Sequence, residues 1–398
     1  MDRFDVIVTG GGPAGMMAGH LFARAGLRTL VLEKHRDFLR DFRGDTVHPS
    51  TLELFHELGL LDGLLARRHD RVTSVGAEIG GRTWRVADFG HLPVRCGFIA
   101  MMPQWEFLDY LARCSRALPA FSLAMETEAE GLLIERGRVE GVAVKGGAPI
   151  RARLTIAADG RGSTLRGAAG LPLDDLGAPI DVLWFRVPKA RTADNRTTGI
   201  LRGGEFLVLI DRGDYWQCAR IIAKGGADAL RSMGIARFRD DMRAAAPQLG
   251  DGLEALADMD EVKLLSVSLD RLRRWDRPGL LAIGDAAHAM SPVGGVGINL
   301  AIQDAVAAAN ILARPLVDGR AIDPLLGRVR RRRMPAVALV QGLQRAIHRN
   351  VLGRALSGEL TEAPLALRLL DRLPLLQRIP GRVLGLGIRR EHIRSPAA

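Results

Sequence analysis

Cysteine is scarce in this chain. Among 398 residues only Cys96, Cys114 and Cys218 occur, far apart and with no Cys-x-x-Cys. An odd, scattered set argues against a disulfide frame and against a cysteine-built zinc site, and fits reduced thiols in a cytoplasm. The nine histidines show no His-x-His, His-x-x-x-His or His-Glu-x-x-His spacing, so no metal site is expected. No Gly-x-Ser-x-Gly elbow is present, which removes the usual serine-hydrolase signal. Tyrosine is limited to Tyr110 and Tyr215, leaving few candidates for phenol chemistry. No run approaches the about 18 uninterrupted apolar residues of a membrane span. The start, MDRFDVIVTGGG, enters a strand at once, with no charged segment followed by an apolar one, so no secretory signal is expected.

What is present is a soluble globular composition, 47% hydrophobic with mean hydropathy +0.06, long enough for two packed domains. The net charge of +11 is unevenly placed. Residues 314–398 hold 17 arginines against six acidic residues, and no Lys, Phe, Trp or Tyr. The rest of the chain is neutral overall. Without aromatics to stack bases, this tail is a poor single-stranded nucleic-acid binder, and no nucleic-acid partner is expected. Arg328 and Arg330 to Arg333 precede an apolar pattern of Ala336, Leu339, Val340, Leu343, Ile347 and Val351 at helical spacing. Two readings follow. These helices pack on the body of the protein with solvated arginines, or residues 328–390 touch an anionic membrane at the inner face.

Along the chain, FDVIVT is a strand, residues 13–26 are helical, and LRTLVLEK is a second strand, a βαβ unit. Gly10-x-Gly12-x-x-Gly15, with Pro13 and Ala14 between, sits at its first turn. The first glycine permits the turn, the second lets backbone approach a pyrophosphate, and the third lets helix and strand pack. Phosphates would rest on the helix N-terminus. Glu33 ends the second strand, where a carboxylate accepts from ribose hydroxyls; Lys34 follows it. HPSTLELFHELGLLDGLL reads as a helix with a Ser50/Glu53 capping box. Residues 72–98, 121–158 and 180–224 read as strands, the last with a hairpin at Arg212-Gly213-Asp214. EVKLLSVSLDRL is expected to be one strand, and Pro315, Pro324, Pro335, Pro374 and Pro380 to break a helical C-terminus. There is no second Gly-x-Gly-x-x-Gly near mid-chain.

Two further loops stand out. Residues 158–166 read Ala-Asp-Gly-Arg-Gly-Ser-Thr-Leu-Arg after a strand. Residues 284–305 read GDAAHAMSPVGGVGINLAIQDA, where one acid, Asp285, leads a run of small residues. With the first glycine cluster, these motifs in this order resemble the single-component FAD-dependent aromatic hydroxylases of the para-hydroxybenzoate hydroxylase type. The matching anchors lie between residues 5 and 304. The resemblance implies an α/β fold: a Rossmann-type FAD-binding domain (about 1–72, 98–172 and 270–330), an interleaved antiparallel substrate sheet (73–97 and 173–269), and a basic helical segment (331–398). It implies that Asp285 bonds the ribityl chain, that Pro292 lies over the flavin, and that the backbone at Gly295, Gly297, Ile298 and Asn299 meets the ring's polar edge. Gln104 and Arg43 fall where the family holds the cofactor. Asp159 and Arg166 belong to a motif linked to the pyrophosphate and to the nicotinamide donor. The residue-level alternatives are a helix cap for Asp285, a turn for Asp159, a solvated charge for Arg166 and packing for His288.

The implied function is an FAD-dependent monooxygenase using NADPH or NADH and O2 to hydroxylate an aromatic or polycyclic, quinone-like molecule through C4a-hydroperoxyflavin. No general base is evident. Tyr215 and Arg186, on expected strands of the substrate layer, and His48, before a helix, are the candidates beside Pro292, each with a packed or solvated alternative. Gln217 shares a face with Tyr215. A geranylgeranyl-reductase-like enzyme and a non-catalytic flavin-carrying protein are the rival readings. Either a monomer or a homodimer is compatible with the chain.

Overall fold

Three apolar strands that end in the motif loops lie side by side. In the computed structural model, which describes residues 3–39, 46–189, 197–202, 204–358, 360 and 362–398, Phe4–Thr9 pairs in parallel with Ile150–Ala157, and the latter with Leu280–Ala282. Thr29–Leu32 and Phe121–Ala124 extend the parallel array on the other side. With Asp276–Arg277 and the hairpin Ala129–Val144 this makes an eight-stranded sheet. Its central residues Val6, Ile7 and Val8 are fully buried, as expected of a parallel sheet covered on both faces. The helix Pro13–Arg24 packs on the sheet and against the long helix Gly297–Val317. The latter is long and apolar enough to cross a membrane by length and composition, but most of it is buried inside the protein.

The second sheet has seven strands in the order Lys263–Leu265, Ile180–Pro188, Tyr215–Ala223, Glu205–Asp211, Thr198–Arg202, Ser74–Ile79, Arg82–Asp88. It is antiparallel except where Ser74–Ile79 meets Thr198–Arg202. Period-2 alternation sorts its side chains. Leu183, Phe185, Val187, Leu209, Trp216 and Cys218 face the helix Gly234–Ala245, with Phe185 edge-on to Phe238 at 5.1 Å. Val182, Trp184, Ala219, Ile221 and Val208 face the other way, towards Val293 of the glycine loop. So the two sheets meet across the loop 291–297.

Several local expectations are corrected. His48, not Ser50, occupies the N-cap position of the helix Pro49–Glu57, without a side-chain cap, and Glu53 accepts instead from the Arg95 backbone N–H at 3.2 Å. The chain turns into the helix two residues early because Pro49 suits the first helical position. EVKLLSVSLDRL is two short strands in different sheets, Lys263–Leu265 and Asp270–Leu272. Pro315, Pro335 and Pro380 lie inside helices. Each forfeits one backbone bond, and the buried packing beside it (Leu316, Val337, Gly381) outweighs that loss. Pro324 and Pro374 do mark helix starts.

Candidate cofactor and substrate site

The three loops leave the same edge of the parallel sheet, where ligands of open α/β sheets bind. Their contact is intimate. A Cβ on Gly10 (φ +97°) would lie 2.3 Å from the Ala158 carbonyl, and one on Gly15 would lie 1.9 Å from the Gly10 carbonyl. Ile283 N–H donates to the Ala157 carbonyl at 2.9 Å, and a Cβ on Gly284 would meet Ala14 at 3.0 Å. Gly10 is therefore required by the approach of the second loop and Gly15 by the tight turn of the first, and Gly284 is favoured by its tight approach to Ala14. Gly12 differs. A Cβ there would meet nothing within 4 Å. The helix it opens has Pro13 in its first turn and no side-chain cap. That uncapped, uncluttered N-terminus has the donors and the dipole for a pyrophosphate.

Beside it, Glu33 is buried. Its carboxylate accepts from the Gly11 N–H at 2.8 Å and from both nitrogens of the His35 backbone and ring. Lys34 points to solvent. Asp285 pairs with Arg161 at 3.1 Å, both half-exposed. Arg161 also donates to the Met290 carbonyl at 3.3 Å. Asp159 accepts from the Ser163 hydroxyl and the Leu165 N–H, so it folds its own loop. Arg166 donates to the carbonyls of Arg161 and Ala286, tying the second loop to the third. Gln104 starts the helix Gln104–Arg116 and is half-buried. Arg43 lies outside the described residues.

Gly294 (φ +82°) and Gly295 (φ +61°) take the left-handed backbone that bends the loop after Pro292. A Cβ on Gly295 would lie 2.4 Å from the Thr46 hydroxyl, which donates to the Gly295 carbonyl. The helix Gly297–Val317 opens with no side-chain cap, and its first internal acceptor serves Leu300. The N–H groups of Gly297, Ile298 and Asn299 thus point past the helix end, suited to a ring's carbonyl edge. The Asn299 side chain looks elsewhere. It accepts from the His48 N–H and the Thr51 hydroxyl and donates to the carbonyls of Thr46 and Gly295. His48 is fully buried and its Nδ1 lies 2.8 Å from the Leu384 carbonyl. Burial lowers its pKa to about 4, with the Leu384 bond opposing. It is a neutral ring that pins the segment 46–51 beneath the C-terminal helix Pro374–Gly385.

The supports of this loop were not visible in the sequence. His288 and Asp304 meet at 2.6 Å, Arg333 reaches Asp304 at 3.0 Å, and all three are buried. Burial pushes the Asp304 carboxyl upward, but attraction and hydrogen bonding from His288 and then Arg333 hold it below the usual range. Asp304 also accepts from the Gly284 N–H, so the charged cluster braces the turn that carries Asp285. Gln344 donates to the carbonyls of Ser291 and Val293 and accepts from the Ser291 N–H, and His348 meets the Ser291 hydroxyl at 2.8 Å. Pro292 is thereby gripped on both sides. A signal existed: Arg333, Gln341 and Gln344 of the helix Asp323–Ile347, with His348 just after it, share one stripe. The apolar stripe masked it.

On the side of the second sheet, Trp184 joins the cluster around Val182/Ile221 and the cluster around Met101/Ile210, and Leu384 and Leu386 pack on the latter. The wall is mainly apolar. Its polar members are Gln217 and Arg212, which bond at 3.1 Å, with Arg212 also on the Met101 carbonyl. Arg186 lies over the Tyr215 ring at 4.0 Å, two ladder steps from that hairpin turn, with Arg186 exposed and Tyr215 half-buried. They pair with each other and not with the Pro292 loop. Among the described residues no cluster of metal-ligating side chains occurs.

Residues 3–342 match the family model described as FAD binding domain. The chain is 36% identical over 389 residues to 6-methylpretetramide 4-monooxygenase of Streptomyces rimosus, covering 95% of this chain and 91% of that protein. In fold it is similar to PqsL, a probable FAD-dependent monooxygenase of Pseudomonas aeruginosa (TM-score 0.77, 21% identity, 90% and 99% of the two chains). It is also similar to OxyS, the anhydrotetracycline hydroxylase of Streptomyces rimosus (TM-score 0.76, 22% identity, 96% and 76%). The loops fit the dinucleotide by their uncapped helix ends and by the open space at Gly12, and the chain belongs to the single-component FAD-binding monooxygenase family, related to aromatic and polyketide hydroxylases.

Proposed function

We propose that the protein hydroxylates a polycyclic aromatic substrate of the kind a polyketide route supplies, with NADH or NADPH as electron donor. The observation that carries this reading is the apolar wall of Val182, Trp184, Val208, Ile210, Ala219 and Ile221 set opposite the loop of Pro292 and Val293. A fused-ring molecule fits such a wall, and a small anionic one would ask for more charge. The 36% identity to a pretetramide monooxygenase adds support.

FAD, when bound, supplies electron transfer from the nicotinamide and activation of O2. The chain's part is to hold and shield it. The free N–H groups of Ala14 and Gly15 receive the pyrophosphate, with Gly12 leaving room. Asp285 accepts from a ribityl hydroxyl after giving up some of its bond to Arg161. The N–H groups of Gly297, Ile298 and Asn299 would hold the ring's carbonyl edge, where their fixed dipoles favour negative charge. Leu384 and Leu386 keep water from the reacting face. His48, neutral above about pH 5, serves as a brace and not as a base.

The test is turnover with fused-ring phenols under labelled O2. A substrate-stimulated loss of NADH or NADPH with one labelled oxygen in the product is the expected result. Anaerobic turnover on an alkene would instead indicate a reductase. Absence of any turnover in a flavin-loaded protein would favour a carrier role.

A further inference from the structure

The helix Pro374–Gly385 is built inside out. Its buried seam is Gln377, Gly381 and Gly385, at i, i+4 and i+8. A Cβ on Gly381 would lie 1.9 Å from the Asp88 carbonyl, and one on Gly385 would meet Leu92 at 2.6 Å. Its outward residues include Leu375 and Ile379, exposed to 69% and 63%. The preceding helix Leu365–Arg372 has no buried residue, and Leu365, Leu369 and Leu373 are 81%, 52% and 48% exposed. Five large aliphatic side chains thus stand in water on two consecutive helices. The last turns of the longer helix Asp323–Ile347 repeat the inversion: Gln341 and Gln344 face in, while Leu339, Leu343 and Ile347 are exposed.

Charge says what covers the Leu365–Ile379 face. Arg372, Arg378 and Arg382 are exposed beside it. The whole +11 net charge of the protein resides in residues 314–398. A second copy meeting this face about a two-fold axis would bring the same arginines together. Protein partners are usually gripped by aromatic anchors in pockets, and this face offers neither. Aliphatic stripes flanked by arginine suit a lipid interface, where the apolar side enters the headgroup boundary and cations meet acidic headgroups.

We infer that Leu365–Gly385 is a peripheral docking element for an anionic bilayer surface. The element also packs on the candidate site, since the Leu384 carbonyl holds His48 and the Leu384 side chain packs with the cluster of Met101 and Ile210. Docking therefore sets the outer side of the site against the lipid.

Co-sedimentation of the flavin-loaded protein with phosphatidylglycerol/phosphatidylcholine vesicles tests this without turnover. At about 0.1 M salt we expect binding to the anionic vesicles. It should fall at least tenfold on pure phosphatidylcholine, and likewise at about 1 M salt, where the Debye length shrinks from about 10 to about 3 Å. Leu375→Ser/Ile379→Ser should lower binding at least tenfold with flavin content and thermal midpoint unchanged, and Arg378→Gln/Arg382→Gln should lower it chiefly on the anionic vesicles. No binding to anionic vesicles at low salt overturns the inference, as does undiminished binding by the Leu375/Ile379 variant. A concentration-dependent dimer that this variant dissolves overturns it too, by assigning the face to a second copy.

Discussion

The two sheets of this protein constrain their sequences differently. The parallel sheet delivers three loops to one point, and each loop must admit the backbone of another. Gly10 against Ala158 and Gly15 against Gly10 leave no room for a methyl group, and Gly284 against Ala14 leaves little. The antiparallel sheet presents a wall of Val182, Trp184, Ala219 and Ile221 to the loop at Val293, and for the proposed substrate role many apolar sets would serve equally. A cofactor shared by a family fixes residue types; a substrate particular to one member fixes little more than shape.

The largest effect that would sharpen this contrast is expected at Gly15. Gly15→Ala drives a Cβ into the Gly10 carbonyl, and we expect almost no soluble flavin-loaded protein on expression, read from the visible flavin band per protein. Ala219→Val in the opposite sheet should leave flavin content near wild type. If Gly15→Ala retained full flavin content, the account of the loops would be broken.

Asp304→Asn is expected to come next. It leaves Arg333, which has no exposed side-chain surface, with only Glu391, at 3.5 Å, as an anionic partner among the described residues. Breaking a buried pair by removing one member costs about 3–5 kcal/mol. Denaturant titration should show that loss; a change below about 1 kcal/mol would mean that the cluster is not braced as described.

Acid should act on the cofactor half through two histidines. His48 and His20 are both lowered to about 4, each chiefly by burial, from an unfolded value near 6.5. Below pH 6.5 the unfolded chain takes up protons that these folded sites refuse. Stability is therefore fully present above 6.5 and falls as the pH drops towards 4, by roughly 3 kcal/mol for each site. His48→Asn should remove its share of that slope in urea midpoints measured across this range.

The smallest effect is expected at Tyr215 and Arg186. They stack on one another at 4.0 Å and the arginine is exposed. Tyr215→Phe should leave flavin affinity and kcat/KM within about threefold, an effect under about 0.7 kcal/mol. A hundredfold loss in kcat/KM would give Tyr215 the role of reacting group that its position argues against.

Much of the cofactor half could be read from the chain because glycine at a close approach has few substitutes. Gly10, Gly12, Gly15 and the glycines after Pro292 announced the loops, and Glu33 announced the strand end. Asp159 and Arg166 were also visible, although the structure shows Asp159 folding its own loop and Arg166 bonding that loop to the third. The braces were not legible. Gln344 and His348 act on Ser291 across 53 and 57 residues of chain, and no spacing rule encodes such a contact. The apolar pattern at Leu339, Leu343 and Ile347 suggested an inward face, yet these residues are exposed. Helical periodicity finds an amphipathic helix but not which side the protein keeps. The capping box failed for a local reason, since Pro49 started the helix before Ser50 could cap it.

The most direct measurement of the central claim is an FAD titration of deflavinated wild type beside Gly12→Ala, followed by flavin fluorescence. A Cβ at Gly12 meets nothing in the protein itself, so only a bound pyrophosphate should object to a side chain there. The account predicts one FAD per wild-type chain, an unchanged thermal midpoint for the flavin-free variant, and at least tenfold weaker uptake by it. Equal FAD affinity in the two proteins, or no uptake by wild type, would contradict it.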